Sequence, residues 1–77
     1  MSGRFIIALT AEARRITPRI DLARAIREAE FRDLEVIERS IGGKSVTVRM
    51  PVSMAVEVQN RLPFTVVEPA AALSLLD

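Results

Sequence analysis

Ile41-Gly42-Gly43-Lys44-Ser45-Val46-Thr47-Val48-Arg49-Met50-Pro51 is the stretch that decides the fold. Gly42-Gly43 supplies a turn, because glycine reaches positive φ without steric cost. Beyond it Val46, Val48 and Met50 alternate with Ser45, Thr47 and Arg49, the period-2 pattern of a half-buried strand. Pro51 stops that strand and can open a helix. Before the turn, Leu34–Ile41 reads as the hairpin's other strand. Its apolar residues change parity between Leu34/Val36 and Ile37/Ile41, as an extra residue at a bulge, or two half-covered faces, would produce.

Working outward, the chain repeats one arrangement on either side of this hairpin. Arg4–Thr10 reads as a strand, with Phe5, Ile7 and Leu9 on one face and Ile6 and Ala8 on the other; being apolar on both faces, it suits a central strand or one covered on both sides. Thr10–Ile16 suits a helical turn or a loop equally. Thr17-Pro18 carries a helix start signal, a capping hydroxyl followed by proline. Leu22, Ala25, Ile26 and Ala29 then share a face, with an end expected near Phe31 or Arg32. After Pro51 a second helix gathers Met54, Ala55, Val58 and Leu62 on one side, and Pro63 ends it. Phe64–Val67 is a fourth strand, stopped by Pro69. Strand, helix, strand, strand, helix, strand is the βαββαβ order. Right-handed crossovers in each half give an α+β, ferredoxin-like split βαβ fold, a four-stranded antiparallel sheet with two helices on one face. Residues 1–69 make one domain and residues 70–77 a C-terminal tail, in a chain of 77 residues.

Composition narrows the function. There is no cysteine and no histidine, so there is no disulfide, no thiolate and no imidazole base. Ser2, Ser40, Ser45, Ser53 and Ser74 have no histidine to activate them. By strand parity Glu35 and Glu38 point to opposite faces, and Glu28 and Glu30 diverge on a helix, so neither pair serves as acid and base. The chain is not expected to be an enzyme and needs no metal or cofactor. Gly42-Gly43-Lys44 lacks the spacing and the following helix of a phosphate loop. Net charge is +1, with acidic residues interleaved among Arg14, Arg15, Arg19, Arg24, Arg27 and Arg32. The aromatic residues are Phe5, Phe31 and Phe64 alone, which does not suit base stacking on a sheet, so no nucleic-acid partner is expected. No run approaches the ~20 apolar residues of a membrane span, and the apolar start is too short for a signal peptide. The compartment is left open: cytoplasmic as the chain stands, or extracellular if it is excised from a secreted precursor.

Two helices cover one face of such a sheet. The other face holds apolar residues of the first and fourth strands, and invites a protein partner or a second copy, although small sheets also expose a few such residues without consequence.

Four features together resemble the subtilisin propeptides and the stand-alone inhibitors built on the same domain, the proteinase-inhibitor-nine family. They are the opening strand Arg4-Phe5-Ile6-Ile7-Ala8-Leu9, the hairpin strand Val46–Met50 running straight into a helix, the helix end Arg61-Leu62-Pro63, and the closing strand Phe64-Thr65-Val66-Val67-Glu68. Departures are Pro69 and Ala70, where the family carries polar or acidic residues, and Gly43, which lies three residues ahead of Val46. Acylphosphatase-like, ACT-type and metal-chaperone domains share the element order, but their phosphate loop or cysteine pair is absent here. The resemblance implies a subtilisin-like serine protease as partner, with the open sheet face docked on it and Glu68 at the end of a protease helix. It also implies that the tail lies extended in the substrate cleft, Leu76 before the scissile position, Leu73 in the other main apolar pocket, and Ser74 and Leu75 between. A module of this kind inhibits the protease, assists its folding, or both. The residues alone leave open a tail folded as a short helix on its own domain, since alanine and leucine favour helix. They equally leave open an assembly module that forms a homodimer through its sheet.

Overall fold

The computed structural model describes residues 2–17, 19–40 and 43–70. The elements are β1 (Ser2–Leu9), α1 (Ala11–Ile16), α2 (Leu22–Glu28), β2 (Glu35–Arg39), β3 (Ser45–Pro51), α3 (Val52–Arg61) and β4 (Thr65–Pro69). The four strands form one antiparallel sheet in the order β2-β3-β1-β4, the ferredoxin-like arrangement, with β1 and β3 inside and β2 and β4 at the edges.

The core follows the period-2 pattern. Phe5, Ile7 and Leu9 of β1 and Val46, Val48 and Met50 of β3 point to the helix-covered face and are buried. The register places Phe5 beside Val48 and Ile7 beside Val46, so large and branched side chains interlock across the central pair. Leu22, Ala23 and Ile26 of α2 and Val58 of α3 close over them, with Leu62 just beyond α3. Among the described residues Thr65 is the buried polar group. Its hydroxyl donates to the Leu62 carbonyl at 2.6 Å, so its burial leaves no polar atom orphaned.

The helices depart from the expected pattern in three places. First, Thr10–Ile16 contains a helix, so the fold has three helices among the described residues, not two. The Thr10 hydroxyl accepts from the Ala13 N–H and caps α1, of which no residue is buried. Second, α2 does not start at Thr17-Pro18. Asp21 caps it, accepting from the Arg24 N–H at 3.2 Å, and the Leu22 N–H donates to the Gly43 carbonyl of the hairpin loop. That start turns Leu22, Ala23 and Ile26 inward instead of the stripe through Ala25 and Ala29. Third, α2 ends at Glu28, short of Phe31. Glu30 adopts a left-handed φ of 53° and cannot continue the helix. The Arg61 guanidinium, coming from the end of α3, donates to the Ala29 carbonyl at 2.6 Å and stacks on the Phe31 ring at 4.4 Å. A distant arginine thus satisfies a terminal helix carbonyl that a local cap would otherwise serve.

These caps carry a prediction. Asp21→Ala should cost about 1 kcal/mol of stability, within the 0.5–2 kcal/mol usual for an N-cap, whereas Thr17→Ala should cost distinctly less. Urea unfolding followed by circular dichroism measures both, and equal losses would place the helix start elsewhere.

Of the expected turn pair, Gly42 lies outside the described residues and Gly43 is the glycine the structure describes. Gly43 has φ 69°, which favours glycine, and its N–H donates to the Ser40 carbonyl. The Ser40 hydroxyl accepts from the Ser45 N–H, tying the loop across its base. The second strand is shorter than Leu34–Ile41, and a bulge falls between Val36 and Glu38.

Candidate functional site

The bulge overturns one sequence expectation directly. Glu35 pairs with Arg49 and Glu38 with Thr47. Arg49 and Thr47 are two apart on β3 and share a face, so Glu35 and Glu38 also lie on one face, the open one, not on opposite faces. The extra residue resets the strand's parity. Both carboxylates are exposed, and Glu35 forms an ion pair with Arg49 at 3.9 Å, so they form a solvated charge pattern on the sheet surface.

The open face is built from the strand positions that alternate with the core. On β1 these are Arg4, Ile6 and Ala8; on β3, Ser45, Thr47 and Arg49; on β4, Val66 and Glu68. Ile6 sits between Thr47 and Glu68, and Ala8 between Ser45 and Val66. The face is therefore divided. Ile6, Ala8 and Val66 form an apolar strip over the β1–β4 half, with Val66 41% exposed. Arg49, Glu35 and Glu38 put charge on the β2–β3 half, where Ile37, the extra residue at the bulge, is also 42% exposed. The partly apolar surface expected from the sequence exists, but it is narrow and bordered by charge.

Of the residues predicted to contact a protease, Glu68 lies on this face, exposed, opposite Ile6 at the edge of the apolar strip. Two residues later the Ala70 N–H donates to the Arg4 carbonyl at 2.9 Å, which fixes where the chain leaves β4. Leu73, Ser74, Leu75 and Leu76 lie outside the described residues. The sequence showed only that Val66 and Val67 face opposite ways; the register decides between them, Val67 pairing with Ile7 and facing the helices, Val66 pairing with Ala8 on the open face.

Elsewhere the surface offers grooves without concentrated chemistry. The groove between α2 and β2 has a floor of Ile26, Phe31, Leu34 and Val36 and a rim of Arg27 and Arg39. Among the described residues no three carboxylates or other ligating side chains cluster to hold a metal ion, and no helix is long and apolar enough to cross a membrane. Comparison with known proteins returns nothing: no family model, no curated protein and no solved structure matches the chain.

Proposed function

We propose that this chain is a propeptide-like inhibitor of a subtilisin-like serine protease, or the intramolecular chaperone of one, binding through its open sheet face with its C-terminal tail in the substrate cleft. The observation that carries this reading is the apolar strip of Ile6, Ala8 and Val66, which runs to Glu68 and to the exit of the chain at Ala70. A partner lying on that strip would meet the tail as it leaves the sheet. An extended tail adds to a partner's strand edge through backbone bonds, and alternate side chains provide specificity. Glu68 would set a carboxylate at the N-terminus of a partner helix, an interaction of about 0.3–1 kcal/mol. The sequence resemblance to the subtilisin propeptides supplies the class of partner.

The test is steady-state hydrolysis of a peptide substrate by a subtilisin-type protease with the chain added at micromolar concentration. Inhibition that excess substrate relieves is the expected result. No inhibition, together with a concentration-dependent dimer in light scattering, would replace this reading with a self-associating assembly module that uses the same face.

A further inference from the structure

The outer edge of β4 is closed by a side chain. Thr10 N–H donates to the Phe64 carbonyl and Ala70 N–H to the Arg4 carbonyl, so the bonded pairs across β1 and β4 are Thr10–Phe64, Ala8–Val66, Ile6–Glu68 and Arg4–Ala70. The backbone groups of Thr65, Val67 and Pro69 therefore face away from β1, where a further strand would bind. The Thr65 N–H is taken by the Leu62 carbonyl at 3.0 Å. The Gln59 carboxamide takes the next two groups: its Nε2 donates to the Thr65 carbonyl at 2.5 Å and its Oε1 accepts from the Val67 N–H at 3.3 Å. The orientation of that amide is forced, because the Val67 N–H can only donate and the Thr65 oxygen can only accept. Pro69 has no N–H to offer.

The opposite edge is protected by other means. β2 presents Glu35, Glu38 and Arg39 and carries a bulge, all permanent obstacles to pairing. β4 has no such obstacle in Thr65-Val66-Val67, a β-branched run suited to a sheet. Its closure depends on one exposed glutamine, which an incoming strand can replace bond for bond with its own N–H and C=O.

We propose that Gln59 is a removable guard: its carboxamide takes the place of a fifth strand, and when it is withdrawn β4 pairs antiparallel with β4 of a second copy. Centred on Val66, that pairing sets Thr65 against Val67 of the second copy, so that each Val67 N–H meets the other copy's Thr65 carbonyl, and it sets Glu68 against Phe64, so no like charges meet. The inference is independent of what the open face binds.

Amide hydrogen exchange and sedimentation velocity on the full chain test it. In the unaltered chain the Val67 N–H should be protected and the chain monomeric. In Gln59→Ala, exchange at Val67 should accelerate roughly tenfold or more while Ile7 and Val48 stay protected, because the edge opens without the core unfolding. A dimer should appear as concentration rises from micromolar to millimolar. Gln59→Glu keeps the stem and the acceptor but loses the donor to Thr65 at neutral pH, so it should also dimerise there, and less so once acid protonates the new carboxyl. This variant supplies the reading if Gln59→Ala does not fold. Unchanged exchange at Val67, or variants that open at Val67 yet stay monomeric, would overturn the proposal.

Discussion

Deleting Leu73–Asp77 should weaken inhibition of a subtilisin-type protease by roughly two to four orders of magnitude, while deleting Met1–Gly3 should have far less effect. The estimate comes from burial. If Leu73 and Leu76 each enter an apolar pocket, each contributes about 1.5–3 kcal/mol, and about 1.4 kcal/mol changes affinity tenfold. Backbone bonds along the extended segment add to this. Ser2 and Gly3, by contrast, lie at the start of β1 against Pro51 and Met50, and their loss shortens a strand end without touching the strip of Ile6, Ala8 and Val66. Thermal melting recorded on the same truncated chain separates the two roles of the tail. A tail that works in the cleft leaves the melting temperature nearly unchanged and reduces inhibition. A tail packed as a helix on its own domain does the reverse, and that result would remove the cleft from the mechanism.

What the sequence revealed depended on whether a segment's pattern was imposed by burial. β1 and β3 were legible because their alternate residues go into the core; Phe5, Ile7, Leu9, Val46, Val48 and Met50 are all buried as the period requires. α3 was legible for the same reason, with Val58 and Leu62 buried and Met54 and Ala55 packed at the margin of the core. α1 has no fully buried residue and sets only Ala13 against the core, so no apolar stripe announced it, and its one signal was the Thr10 hydroxyl. At α2 the sequence pointed to Thr17-Pro18, whereas Asp21 forms the cap, accompanied by the tertiary contact from the Leu22 N–H to the Gly43 carbonyl. The end of α2 depends on Arg61, more than thirty residues away, which no local pattern can show. The open face was readable as the complement of the core, except at β2. There the irregular apolar pattern pointed to a bulge, but the parity of Glu35 and Glu38 had to be recounted across it. Gln59 gave no signal at all, because its partners are backbone groups of β4 and belong to no side-chain pattern.

Replacing Ile7 by alanine should be among the most damaging core truncations, and comparing it with Ile6→Ala separates folding from binding. Ile7 is fully buried in the central strand, between Val46 of β3 and Val67 of β4. Truncating such a residue loses its transfer free energy and leaves a cavity, typically 2–5 kcal/mol. A chain of this length has a total stability of about 4–12 kcal/mol, so the loss is a large fraction of it. At about 4–8 °C per kcal/mol for a domain of this size, melting should fall by roughly 8–40 °C. Ile6 is the next residue but faces the other way, half-buried among Thr47 and Glu68. Its truncation should cost less than that of Ile7, about 1–2 kcal/mol of stability, because it lies at the surface of the sheet and its loss leaves no enclosed cavity. If the open face meets the protease, Ile6→Ala should weaken inhibition at a temperature where the chain remains folded. Ile7→Ala should weaken it through the unfolded fraction, since a chain that must order on binding loses that ordering free energy from its affinity. Lowering the temperature or adding an osmolyte should therefore restore inhibition by Ile7→Ala and leave Ile6→Ala impaired. Recovery of both variants together would mean that the face of Ile6 contributes only to folding.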